Sequence, residues 1–391
     1  MKFIKFDTLY PSLYLDRKIK ENRSLIEKMD FDTLTQWLVG LRLNFSDYYT
    51  YNLQLQGWEA KEFFVLGNGC YLQKCGRKYF GWRFLFVYTF HKLFGRFARR
   101  SLMEVLLDRI IRIEKPNVIF VREQSMINSL FWDKYRNQAL VVSRMECGVP
   151  KYWSPACFDV IYTNINTYRD FFKSNRFVTY TNYSGFDERV ANEIGVIEGF
   201  GYDVVFVGGL GNKVFLEKTT FLEAILSKNK GGFRFAWWGY QEGRDFNKSF
   251  PMLAQSYQGL SGGLDMFAIY KNAKIVLNDY GIAAGGQGMN QRIYEVLGAG
   301  GFLLTRNSSM FDGWEDSVTT FENVDDCIQK IDYYLRNEEE RKLKAIKGHD
   351  YVLKHFNYKD IMKKLSDELV FEYNKKFYKE KRKFVEILQK Q

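Results

Sequence analysis

Histidine is scarce, with three in 391 residues, and the five cysteines form no CxxC pair. Structural zinc sites need Cys and His clustered at short spacings, so the chain is not organised around one. Cys70, Cys75, Cys147, Cys157 and Cys327 read as reduced, mostly buried thiols of a cytoplasmic protein. Five prolines leave little room for long disordered linkers. No apolar run approaches the roughly 20 residues that span a bilayer. The amino-terminal MKFIKFDTLY has no apolar stretch after its lysines, so no signal peptide is expected. These absences point to a cytoplasmic protein that meets a membrane, if at all, only peripherally at its inner face.

What is plentiful is aromatic and positive. Aromatic residues make up 18% of the chain, apolar residues 46%, and the formal charge is +11. Such a charge suits nucleic acid, anionic lipid or phosphorylated small molecules, without choosing among them. The length fits two domains of roughly 100–200 residues each.

Short β-branched runs alternate with helical periodicity along the chain. In the first half KFIKF, EAKEFFVL, NVIFV, ALVVSRM, CFDVIYTN and FVTYTNYSG read as strands, with LMEVLLDRIIRI and YRDFFKSN among the intervening helices. The second half repeats the pattern with DVVFVGGLG, FRFAWWGY, KIVLND and GFLLTRN, separated by KTTFLEAILSKN, LDMFAIYKNA and QRIYEVLGAGG. Strands spaced by helices of about ten residues mean βαβ units and parallel sheets. The expected class is therefore α/β with two Rossmann-like domains facing across a cleft. The first covers 1–185, a linker 186–200, the second 201–355, and helices over 356–391 pack back toward the first.

Three glycine-rich exits fall at the carboxyl edge of the second sheet, where open parallel sheets bind ligands. They are GGLGNK (208–213), WWGYQEG (237–243) and GIAAGGQGMNQ (281–291). Glycine lets backbone amides come close to a phosphate, and a following helix N-terminus adds partial positive charge. Arg292 lies in the first turn of the helix after the third loop, with Glu295 one turn on along the same face. A guanidinium offers paired donors to a diphosphate, and a carboxylate can accept two ribose hydroxyls. A plain i,i+3 salt bridge is the structural alternative.

GMNQRIYEVLGAGGFLLT (288–305) resembles the signature of GT-B glycosyltransferases, and most nearly the CgeB-like branch. The likeness continues through DDCIQKIDYYLRNEEERKLKAIKGHDYVLKHF and reaches upstream through LDMFAIYKNAKIVLND, WWGY and FVGGLG to CFDVIYTNINTYRDFF. It spans about 150 to 360 and is only architectural before that. The resemblance implies a nucleoside-diphosphate-sugar donor held by the second domain and an acceptor bound mainly by the first, with no separate cofactor. Glu295 would hold the ribose, while Arg292 with Gly286, Gln287, Gly288, Met289 and Asn290 would meet the diphosphate or donor sugar. Gly208, Gly209 and Lys213 would close over the phosphates, flanked by Gly239 and Tyr240. Many retaining relatives have a Glu where this chain has Gln287, which leaves the stereochemical course open.

Stabilisation of the departing diphosphate by positive side chains and helix dipoles needs no metal, and none is expected. The one Asp-x-Asp match, Asp30-Phe31-Asp32, lies far from the glycine loops. An inverting reaction needs a base for the acceptor hydroxyl. Glu123, directly after NVIFV, is the first candidate, followed by Glu146 and Asp47. The acceptor would be a glycan, lipid-linked or protein hydroxyl, in keeping with polysaccharide or cell-surface glycan synthesis. A nucleotide-sugar epimerase and a basic non-enzymatic binder are the alternatives, although no nucleic-acid motif is present. Residues 80 to 100 mix aromatics with cations, as a membrane-docking patch or as a helix with a solvated face.

Overall fold

The structure is a computed structural model. It describes residues 1–388 except 67–68, 99, 123–124, 147, 182–183 and 280–289, with side chains given except at 96 and 379–388. The chain divides into two compact units. One comprises residues 1–41, 45–182 and 362–391, and the other residues 42–44 and 183–361.

The first unit is built on six parallel strands: β1 (Lys2–Asp7), β2 (Glu59–Phe64), β3 (Val118–Val121), β4 (Leu140–Arg144), β5 (Val160–Thr163) and β6 (Thr179–Thr181). Their order is β2-β1-β3-β4-β5-β6. Val118, Ile119, Phe120, Val121, Val141 and Val142 are fully buried. That is the pattern of central parallel strands covered on both faces. The helix Leu102–Glu114 starts with a capping box, Ser101 with Glu104, and stops at Lys115 in the left-handed region ahead of Pro116. The last helix, Tyr358–Leu388, is tied to the strands of this unit. Glu368 accepts from the Tyr162 hydroxyl at 2.9 Å, Glu372 from Tyr180 at 2.9 Å, and Ser366 Oγ from the Trp58 indole at 2.9 Å.

The second unit holds β7 (Val204–Val207), β8 (Leu210–Gly211), β9 (Phe235–Trp238), β10 (Gln241–Glu242), β11 (Ile275–Asn278), β12 (Leu303–Arg306) and β13 (Thr319–Phe321). Five form a parallel sheet in the order β13-β12-β11-β7-β9, and β8 pairs with β10 just beyond β7 and β9. Phe206, Trp237, Leu277, Leu304 and Ile225 are part of its core, with the Trp237 indole bonded to Leu253 O at 2.6 Å.

Both sheets change direction once. In the first, the chain goes from β1 to β2 on one side and returns to β3 on the other, so the switch lies between β1 and β3. In the second it lies between β7 and β11. Crossovers diverge there and leave a crevice at the strand carboxyl ends, which is where such sheets bind ligands. Asp7 and Arg122 mark that point in the first unit; Gly208, Asn278 and Asp279 mark it in the second.

Candidate functional site

Glycine shapes the exit of β7. A Cβ on Gly239 would fall 2.0 Å from the Gly208 carbonyl oxygen, and Gly239 has φ +149, so this close approach of two backbones requires glycine. The Gly208 amide donates to Trp238 O at 2.8 Å and the Gly239 amide to Gly259 O at 2.9 Å. A Cβ on Gly208 would lie 2.8 Å from an Arg292 Nη, and the glycine thus leaves room for that guanidinium. Gly209 packs against the Phe215 ring. Tyr240 is 47% exposed. Lys213 is exposed, and the amides of Lys213 and Val214 are occupied by the Glu242 carboxylate at 3.1 and 3.0 Å.

Arg292 stands in the first turn of the helix Gln291–Gly298. Its Nε donates to the Tyr270 hydroxyl at 3.2 Å, Nη1 approaches Asn278 Oδ1 at 3.5 Å, and Cζ sits 5.2 Å from the centre of the Phe206 ring. Among the described residues no carboxylate forms an ion pair with it; the Arg292–Glu295 bridge does not form. Lys218 reaches the same Phe206 ring, 5.5 Å from Nζ to the centroid, and the Phe215 ring at 4.6 Å. It too has no ion pair among the described residues. Burial and the neighbouring Arg292 charge push its ammonium down to about 8, with Asp279 opposing. Two cations thus share a partly buried corner, and neither forms an ion pair among the described residues.

Glu295 is half-buried, and burial pushes its carboxyl up to about 7 against the pull of Arg292. Asn290, just before the helix, donates to Asn278 Oδ1 at 2.9 Å, and Asn278 donates to Thr305 Oγ1 at 2.9 Å. The Asn290 Oδ1 is buried with no donor among the described residues. Asp279 is held by Arg306 through both oxygens, at 3.0 and 2.7 Å. Gly208, Asn290, Arg292 and Glu295 are therefore brought to one place, while Gly286, Gln287, Gly288 and Met289 lie outside the described residues. Lys218 is the member that sequence reasoning overlooked. Its signal was a cation in the first turn of Leu216–Lys228, where the helix dipole disfavours positive charge.

The switch point of the first unit carries a buried ionic cluster. Lys5, fully buried, reaches Asp7 at 3.2 Å and Glu62 at 2.9 Å, and Arg122 reaches Asp7 at 2.7 Å. Arg144 pairs with Glu146 and also bonds the Tyr49 hydroxyl; Arg122 lies 3.8 Å from the other Glu146 oxygen. The Phe45 ring receives both guanidinium groups, Arg122 at 3.8 Å and Arg144 at 4.0 Å. Burial alone would raise the Asp7 carboxyl, yet Arg122 and Lys5 hold it below the usual range. Glu62 goes the other way, pushed up to about 8 by burial with Lys5 opposing. Of the carboxylates expected to act as base, Glu146 is in this cluster. Asp47 stands half-buried at the start of the helix Tyr48–Gln54, and its charge adds to the rise of Glu62. Glu123 lies outside the described residues. Asp30 and Asp32 do local work: Asp30 caps the helix Phe31–Gly40 by accepting from the Thr33 amide at 2.7 Å, and Asp32 pairs with Lys78.

Residues 218–367 match the family model described as glycosyl transferase-like. No curated protein matches the chain by sequence. Sucrose-phosphate synthase of Thermosynechococcus elongatus superposes with a TM-score of 0.55 at 8% identity, covering 94% of this chain and 98% of that one. HepE of Anabaena, in complex with UDP and glucose, gives 0.53 at 10% identity over 95% and 99%. The N-terminal domain of Candida albicans trehalose-6-phosphate phosphatase gives 0.53 at 12% identity over 95% and 97%. The parallel sheets in two units are the GT-B fold. The family match falls almost wholly within the second unit, which is therefore similar to a glycosyl transferase domain in a chain with the GT-B fold.

Proposed function

We propose that the protein moves a sugar from a nucleoside-diphosphate sugar to a hydroxyl of a glycan, lipid-linked or protein acceptor, without a metal. The observation that carries this reading is the juxtaposition of Lys218 and Arg292 at the β7–β11 switch point, neither in an ion pair among the described residues. Like charges held together in a partly buried corner repel, and a diphosphate relieves the repulsion while using the paired donors of the guanidinium. The same two cations would stabilise the charge that develops on the leaving nucleoside diphosphate, so EDTA should leave turnover unchanged. Glu295, one turn below Arg292, is the proposed ribose acceptor. Anabaena HepE, which shares the fold, is bound to UDP and glucose, and this makes uridine nucleotides the first to try.

The first unit is proposed as the acceptor side. Its base is proposed to be Glu123, which follows Arg122 at the carboxyl end of β3, since Glu146 is engaged by Arg144 and Arg122. The reading is tested by thermal unfolding and binding with UDP, GDP, CMP, dTDP and ADP and their sugars, on the wild type, Lys218→Ala, Arg292→Ala and Glu295→Ala. One nucleotide should stabilise the wild type. Loss of one charge-assisted contact, roughly 1.5–3 kcal/mol, should weaken it about 10- to 100-fold in the lysine and arginine variants. Wild type unmoved by every nucleotide, or Lys218→Ala binding like wild type, would overturn the assignment.

A further inference from the structure

Residues 80 to 100, FGWRFLFVYTFHKLFGRFARR, contain no aspartate or glutamate, yet they carry Arg83, Lys92, Arg96, Arg99 and Arg100. The segment forms the helix Phe84–Phe94, flanked by the short 3-10 turns Gly81–Arg83 and Gly95–Phe97. It packs against the helices Gly69–Phe80 and Leu102–Glu114 of the first unit. One face is anchored. Phe84 is buried, its ring filling the space over Gly76, where a Cβ would meet it at 2.1 Å. Tyr88 and His91 are half-buried on the same side, with His91 Nδ1 at 2.9 Å from Val87 O and Nε2 at 3.3 Å from Arg100 O.

Among the described residues of this unit nothing covers the other face, which is apolar. Trp82 is 70% exposed, Phe86 68%, Phe90 51%, Leu93 67% and Phe97 86%. Their spacings of four, four, three and four residues put them on one stripe. Trp82 meets Phe86 edge-on at 5.7 Å, and Phe90 lies 5.8 Å from Phe94, itself 52% exposed. Large apolar patches of this kind mark interaction surfaces. The choice of occupant follows from charge. Two copies meeting through this face would bring two wholly cationic segments together, which opposes self-association. A negatively charged bilayer offers both requirements at once: an acyl boundary for the aromatic stripe, and headgroups for the surrounding cations.

We propose that the segment 80 to 100 docks the protein on anionic lipid, with Trp82, Phe86, Phe90, Leu93 and Phe97 entering the headgroup–acyl boundary. The full chain is sedimented with vesicles of phosphatidylcholine alone and of phosphatidylcholine mixed with phosphatidylglycerol. Wild type should bind the mixed vesicles about tenfold or more tightly than the neutral ones, and added salt should weaken it. The triple variant Phe86→Ser, Phe90→Ser, Leu93→Ser and the double variant Arg83→Glu, Lys92→Glu should each lose about tenfold or more on the mixed vesicles. The charge variant keeps the aromatic stripe, so it tests the docking even where the triple variant melts early. Tryptophan emission should shift to the blue on mixed vesicles, and less so in Trp82→Phe. Wild type left in the supernatant, equal binding by either multiple variant, or a dimer that the triple variant separates into monomers would overturn the proposal.

Discussion

Glu295 and Lys218 are displaced from their ordinary titration ranges by the same cause, burial, with Arg292 acting on both. For Glu295 this fixes the sign of a pH effect. The folded carboxyl titrates near 7 and its ordinary value is 4.5, so the native state holds the extra proton between those limits. Stability therefore falls as pH rises from about 4.5 to about 7, then levels off. Glu295→Gln removes that slope. At pH near 8 the variant should be more stable than wild type by on the order of 1–3 kcal/mol, and equal to it near pH 4. Urea unfolding across that range measures the difference. Parallel pH profiles for the two proteins would mean that the carboxyl is not buried as described.

At the scale of elements, the pairing of the exits of β7 and β9 shapes the site. Gly239 cannot carry a side chain, since its Cβ would meet main-chain atoms of Gly208 at 2.0 and 2.5 Å, which have no freedom to yield. Gly239→Ala should cost roughly 2 kcal/mol or more in urea unfolding. Gly208→Ala meets instead the mobile end of Arg292, at 2.8 and 3.2 Å. It should weaken nucleotide binding while costing less stability than Gly239→Ala. A Gly208→Ala protein with wild-type nucleotide affinity would separate Arg292 from the phosphate role.

For the whole molecule, each unit carries its own parallel sheet and core, which predicts two calorimetric transitions rather than one. A nucleotide sugar at about a hundred times its dissociation constant should raise the stability of the unit that binds it by about 2.7 kcal/mol. Scanning calorimetry should show one transition moving and the other fixed. A single transition that moves as a whole would mean the units unfold together. Among the described residues no helix is long and apolar enough to cross a membrane.

Much of this architecture was legible from the chain. Runs such as VVFV and IVL are apolar at every position because both sheet faces are covered, and the glycines that follow them announce where the strands end. The rule that ligands sit at strand carboxyl ends directs attention to Arg292 and Glu295 from the sequence alone. Short elements were not legible: β8, β10 and β13 have two or three residues, too few for a period, and exist because a neighbouring strand is there to pair with. Nor was the buried role of Lys5, which in KFIKFD reads as an outward lysine until Glu62 and Asp7 are brought beside it. Local sequence determined which residues form strands, turns and helix starts, because these depend on neighbours a few positions away. Tertiary structure alone decided that Lys218, rather than Lys213, joins Arg292, because that choice depends on which side chains the sheet order places around one aromatic ring.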